Sequence, residues 1–365
     1  MAAEAFRIRD QLKEFFDVDA RFTFETLAGH GNHAAACRLR YTDPETGREQ
    51  RFIVKRSFKG ETHLQGLREE KRWLTALSQA PHIVDLVDFP DNPLRNNNIE
   101  DEIIVMEWLE NGTLNNFITK ARRLERPLPN RLLWRFLLCL LRATAALAYP
   151  PDGTPQFPRQ PEGVRLTEEE TVAVPSLLQH NDLHDKNILL GEEIPEDIDE
   201  HFDTPILKWI DFGLAGEFSG GDRNPQFGVK GNLRDVGDIM VCLITRTQWS
   251  NSTKQETHSF RVAPGGPRLE TEAVALFPKG DGPDPCAGLD PQIKSLVCRL
   301  CATDRNVCPT LNTSIDFVLE QVRTRDQTYY GYAREEGDTE IGLLWRRIVM
   351  SADVMQTADV IMLSS

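Results

Sequence analysis

The spacing of apolar and polar positions changes several times along the chain, and each change predicts an element. Residues 1–19 mix charges with Phe and Leu and predict a short helix. Residues 21–27 alternate with period two and predict a strand, followed by a glycine turn at Gly29 and Gly31. A turn over residues 41–50, broken by Pro44 and Gly47, leads into a strand at residues 51–55. Residues 61–78 then carry Leu64, Leu67, Leu74 and Leu77 at helical spacing. Glu70 falls on that apolar face, whereas Glu69 is rotated about 100° away. An acid on such a face is costly unless paired, so Glu70 is expected to have a cationic partner, with Glu69 in reserve.

Two further strands are expected at residues 82–89 and 102–106, separated by an Asn-rich loop. Short and long helices are expected at residues 115–126 and 130–149, the second through Leu133, Phe136, Leu137, Leu140, Leu141 and Leu147. Residues 149–174 hold five prolines and three consecutive glutamates, a composition suited to an exposed insertion. Residues 191–204 carry seven acids and read as a solvated hairpin loop, because the carboxylates share no ligand spacing. Downstream, residues 236–245 predict an apolar helix and residues 248–285 a loop-rich insert. Asp290-Pro291 is a helix start, with an N-cap and a proline in the first turn. Residues 314–323 close the helical part. Ile341, Leu343, Leu344, Trp345, Ile348 and Val349 mark a tail helix packing on the domain.

Composition narrows the class. A chain of 365 residues with 40% hydrophobic and 27% charged positions is long enough for one or two domains with a large core. The net charge of −14 argues against nucleic acid and anionic membrane as partners. The most apolar run, residues 132–149, contains Arg135 and Arg142, which makes it a core helix and not a membrane span. Seven scattered cysteines, and no basic-then-apolar run at Met1-Ala2-Ala3-Glu4, favour the reducing cytosol or nucleus. Cys298 and Cys301 form C-x-x-C on an amphipathic helix. No second cysteine or histidine pair completes a zinc site, so two buried thiols are expected there.

The chemistry concentrates in residues 179–190, Q-H-N-D-L-H-D-K-N-I-L-L, where His180, Asp182 and Asn187 stand at the spacing H-x-D-x-x-x-x-N. Trp209-Ile210-Asp211-Phe212-Gly213 follows the acidic stretch, and Phe52-Ile53-Val54-Lys55 precedes both. Taken singly, these Asp and Asn residues are ordinary turn formers, Lys55 a surface lysine and the glycines a hairpin turn. Their joint order is far more specific. It resembles the protein-kinase family over about residues 20–324, as an atypical and divergent member.

That resemblance implies an α+β, two-lobed protein-kinase-like fold, with a small β-rich N-lobe and a larger helical C-lobe. Residues 1–19 would be an N-terminal helix, 20–109 the N-lobe and 110–324 the C-lobe, with inserts at 150–174, 191–204 and 248–285 and a tail helix in 325–365. It implies an ATP-dependent phosphotransferase using Mg2+. Asp182 would orient the acceptor hydroxyl and take its proton. Asn187 and Asp211 would hold the metal. Lys55, steadied by Glu70, would reach the phosphates. Gly29, Gly31 and Ala36 would border them, and Met106, Glu107, Trp108 and Leu109 would form the adenine side. His180 would pack against Phe212, Gly213 would permit the turn after Asp211, and Asp235 would brace the loop.

Several positions depart from the family pattern. Asn181 replaces the arginine that would bind a phosphorylated activation loop. His184 replaces the lysine two after the base, with Lys186 as its substitute and an echo of aminoglycoside- and choline-type kinases. Ile53 is larger and Ala36 smaller than usual, a pair that conserves volume in the adenine pocket. Only 24 residues separate Asp211 from Asp235, without Ala-Pro-Glu, and Cys308 stands where that motif's arginine partner would be. Both members of one buried ion pair are thus missing together, as the cost of an unpaired charge requires. The acceptor is a protein or a small molecule, and a nucleotide-binding scaffold without turnover is the remaining alternative.

Overall fold

A computed structural model describes residues 1–31, 33–94, 103–124, 126–150, 174–197, 200–217, 226–249, 256–262 and 265–351. The fold is mixed α+β, and among these residues it has eight α-helices and one four-stranded antiparallel sheet. Helix α1 (Ala2–Phe16) precedes strands β1 (Phe22–His30), β2 (Ala34–Thr42) and β3 (Glu49–Ser57). Helix α2 (Glu61–Ala76) and strand β4 (Ile103–Glu107) follow, and the sheet order is β1-β2-β3-β4.

Period-two alternation divides this sheet between two hydrophobic clusters. Phe22, Cys37, Leu39, Phe52 and Val54 face one way, onto Ala5, Ile8, Leu12 and Phe16 of α1. Ala28, Ala36, Ile53, Ile104 and Met106 face the other way, into the larger cluster. Lys55 shares the side of Ile53, and this puts an ammonium on an otherwise apolar surface.

The rest of the chain is largely helical. It comprises α3 (Leu114–Ala121), α4 (Asn130–Ala148), β5 (Leu178–Gln179), β6 (Ile188–Leu190), β7 (Leu207–Trp209), β8 (Gly216–Glu217) and α5 (Gln226–Thr245). Then come β9 (His258–Arg261), β10 (Arg268–Thr271), α6 (Pro291–Leu300), α7 (Leu311–Thr324) and α8 (Asp338–Met350). Helix α4 is apolar nearly all round, as a helix packed by neighbours on several sides must be. It packs against α5 and α7. Asp290 caps α6 as expected, accepting from the Gln292 amide at 2.8 Å. In α8, Ile341, Leu344, Trp345 and Ile348 are buried, while Leu343 is exposed. Lys120 of α3 donates to the Val349 carbonyl at 2.9 Å.

The structure departs from the sequence expectations at four places. Residues 82–89 form no regular strand. The segment makes single bridges, Ile83 to Trp209 and Leu86 to Met106, and so joins β7 to β4. The Glu107 carboxylate takes the Asp85 amide at 2.9 Å, where a backbone carbonyl would continue a ladder. The helix expected from residue 236 begins at Gln226. Its glycines are contact points and not breakers: a Cβ on Gly228 would lie 2.6 Å from the Leu177 backbone, and one on Gly231 2.7 Å from Gln179. The insert at 248–285 contains the β9–β10 hairpin. The acidic loop at 191–204 is not solvated throughout, because His201 and Thr204 are buried. Most of the insertion at 150–174 and the end of the tail lie outside the described residues.

All seven cysteines are free thiols, and Cys298 and Cys301 are fully buried. Among the described residues no helix is long and apolar enough to cross a membrane.

Candidate functional site

Three charges drawn from distant parts of the chain meet at one point, Lys55 and Glu70 buried and Asp211 half-buried. The Lys55 ammonium lies 2.7 Å from Glu70 Oε2 and 2.9 Å from Asp211 Oδ1. Strand β3 presents Lys55, helix α2 presents Glu70, and the turn after β7 presents Asp211. The reserve candidate, Glu69, pairs instead with Gln65 and Arg72 near the surface. Asp211 adopts a left-handed backbone, φ 66°, which a non-glycine residue enters at some cost. The expected glycine freedom at position 213 is not what makes this turn, since Gly213 lies in the short 3-10 helix Phe212–Leu214. Helix α2 is pinned to the following segment by the Trp73 indole N–H, which donates to the Ala215 carbonyl at 3.1 Å.

Two carboxylates share one ammonium, so the cluster carries a net negative charge whenever both are ionised. Burial alone would lower the Lys55 pKa, but Asp211 and Glu70 outweigh it and hold the lysine charged. Burial pushes the Glu70 carboxyl up to about 7, against the pull of Lys55. Burial would also raise Asp211, but Lys55 overcomes it and keeps that carboxyl below its ordinary value. Such a cluster favours a further positive charge next to Asp211.

The cluster forms one wall of a cleft of about 620 Å³, counted out to its open mouth. Gly29, Ala36, Lys55, Met106, Glu107, Trp108 and Leu109 line it, as the sequence suggested. Ile53 lines it without filling it. Gly31 does not line it, because its amide closes the β1–β2 hairpin onto the Ala34 carbonyl at 3.0 Å. Ala28, Val84, Gly112, Leu189 and Ile210 complete the lining and were missed from sequence. Leu189 could have been found, as it lies two residues after Asn187 in the short strand β6.

The loop between β5 and β6 carries the other candidates. The Asn187 amide donates to Asp182 twice, to Oδ2 at 3.1 Å and to the backbone carbonyl at 2.9 Å. His180 is fully buried, its ring 4.8 Å from that of Phe212, and Nε2 donates to the Ile210 carbonyl at 2.9 Å. Burial lowers its pKa, so the ring is neutral. Asn232, three residues before the expected Asp235, braces this loop. Asn232 Oδ1 accepts the His180 amide at 3.1 Å and its Nδ2 donates to the Leu178 carbonyl at 2.9 Å. The Asn181 side chain donates to the Leu214 carbonyl at 3.1 Å. His184 Nε2 lies 3.7 Å from Asp182 Oδ1, under Trp249 at a ring separation of 5.2 Å. Lys186 is exposed on the adjoining 3-10 turn.

The chain matches no protein-family model and no curated protein.

Proposed function

We propose that the chain is an ATP-dependent phosphotransferase with a divergent, two-lobed protein-kinase-like fold. The observation that carries this reading is the double contact of Lys55 with Glu70 and Asp211 at the wall of an apolar cleft. The partition of the sheet between two hydrophobic clusters supports the two-lobed description. The cleft lining is apolar apart from the charges at one end, a combination suited to a purine with a polyphosphate.

In this reading Lys55 pairs with the phosphates of the nucleotide, and Glu70 keeps it oriented. Asp211 and Asn187 offer hard oxygen donors, the set Mg2+ prefers. Bound magnesium supplies neutralisation of the phosphate charge. Asp182 accepts the proton of the acceptor hydroxyl as that oxygen bonds to the γ-phosphorus. The bond from phosphorus to the ADP oxygen breaks, and Asn187 holds the Asp182 carboxylate in place meanwhile. Asn181 makes a neutral hydrogen bond to the Leu214 carbonyl where a phosphate-binding arginine would stand, so control by loop phosphorylation is not expected.

A small-molecule acceptor is the second reading. Trp249 favours it, because its ring lies tilted against His184, whose Nε2 is 3.7 Å from Asp182 Oδ1, and so places a large aromatic group close to the base.

Thermal denaturation with nucleotide tests binding. At a hundredfold excess over Kd, Mg-ATP should add about 2.7 kcal/mol of stability. Lys55→Met should remove most of that gain. A wild-type melting temperature indifferent to Mg-ATP would overturn the nucleotide reading. Assays of protein acceptors against hydroxylated metabolites would separate the two acceptor classes.

A further inference from the structure

A second buried cluster lies away from the cleft. It comprises His82 between α2 and β4, Cys139 in the middle of α4, and His201 in the loop from β6 to β7. All three side chains are buried, and one donor atom from each lies within 4.8 Å of the other two. Cys139 Sγ is 3.3 Å from His201 Nε2, and the two imidazole rings are 5.2 Å apart.

Each histidine commits its other nitrogen to an acceptor behind it. His201 Nδ1 donates to Asp197 Oδ2 at 2.7 Å, and His82 Nδ1 donates to the Leu207 carbonyl at 3.1 Å. Both tautomers are thereby fixed with the lone pair on Nε2. Metal-binding histidines are commonly held this way, by a carboxylate or a backbone carbonyl on the far nitrogen.

We propose that His82, Cys139 and His201 bind a divalent metal ion of the zinc class, which ties the 191–206 loop to α4 and to the stretch before β4. Zn–N and Zn–S bonds of about 2.0–2.1 and 2.3 Å give tetrahedral edges of about 3.3–3.6 Å. The Cys139–His201 separation of 3.3 Å already has this length, and no pair is wider than 4.8 Å, so none need close by more than about 1.5 Å. A thiolate and two neutral imidazoles are the donors such an ion prefers to oxygen. On binding, the Cys139 S–H bond breaks, its proton leaves to solvent, and sulfur bonds to the ion with no change of oxidation state. The ion, the thiolate and the Asp197 carboxylate then sum to zero charge. The nearby cations have acids of their own: Arg142 pairs with Glu200 at 2.8 Å, and Lys208 with Asp85 at 3.0 Å. Three protein donors leave the fourth position to a water.

Asp197, Glu200 and His201 also bring donor atoms within 4.8 Å, but that set is more exposed and contains no sulfur. A competing ion there would therefore be spectroscopically distinct.

The test titrates Co2+ into the metal-free full-length chain and follows near-ultraviolet absorption. One equivalent should bind with a thiolate-to-cobalt charge-transfer band, and Zn2+ should displace it. Cys139→Ala should abolish the band, and Asp197→Asn should weaken binding by about 10- to 100-fold. The wild-type titration decides the matter even if the variants fold poorly. Saturation without the band, or the same band in Cys139→Ala, would overturn the proposal.

Discussion

Two buried clusters lie on either side of one short stretch of chain, and they solve opposite problems. Val84 helps to line the cleft that Lys55, Glu70 and Asp211 enter, while His82, two residues earlier, belongs with Cys139 and His201. The first cluster is built from full charges and hard oxygens beside an open cleft. The second is built from neutral, softer donors behind closed packing. Charge at the mouth of a cleft suits a ligand that comes and goes, because solvent can replace it. Neutral donors in a closed core can stay buried with or without an ion. Burial alone does not define a site; the chemistry of the groups buried together does.

The largest expected effect breaks the first cluster. Lys55→Met leaves two carboxylates without their cation, and loss of one partner of a buried pair costs about 3–5 kcal/mol. Adding Glu70→Gln should recover much of that stability without restoring nucleotide binding. Chemical denaturation of the two variants measures it, and equal destabilisation in both would show that the pair is not the source of the cost. Next comes the brace under the loop. Asn232→Ala removes two buried hydrogen bonds and should cost about 1–3 kcal/mol, read from the same denaturation curves.

The smallest effect is a pH slope. The pKa of His180 is lowered by burial, so the unfolded chain takes up a proton as pH falls through about 6.5 while the folded chain stays neutral. The stability due to the neutral ring is complete above that pH and is lost as pH falls toward the depressed folded value. The melting temperature should therefore fall on acidification below about 6.5. Burial lowers the pKa of His82 and His184 as well, so His180→Asn should reduce that slope without abolishing it, and an unchanged slope would rule out a share for His180.

Sequence made the charged cluster legible and the neutral one invisible. Glu70 stood out because a carboxylate on a leucine stripe demands a partner, and Lys55 and Asp211 were flagged by their motifs. His82, Cys139 and His201 are 57 and 62 residues apart, and nothing local marks their meeting. The helix was expected only from residue 236 because Gly228 and Gly231 precede it, and their close approach to residues 177–179 is a tertiary fact that local pattern does not carry. For the same reason Asn232 was missed. Its two hydrogen bonds go to residues 178 and 180, and an asparagine before a helical run reads first as a turn former. The irregular segment at 82–89 looked like a strand because its apolar alternation is real, but its partners lie on two different elements.

The central claim is best tested by phosphoryl transfer itself, with ATP labelled at the γ-phosphate and with magnesium present or chelated. The wild type should show metal-dependent turnover or self-labelling. Asp182→Ala should lower it about 10²- to 10⁴-fold while leaving the melting curve nearly unchanged. Equal transfer by both proteins, or none from a wild type that binds Mg-ATP and has been offered both protein and metabolite acceptors, would contradict it.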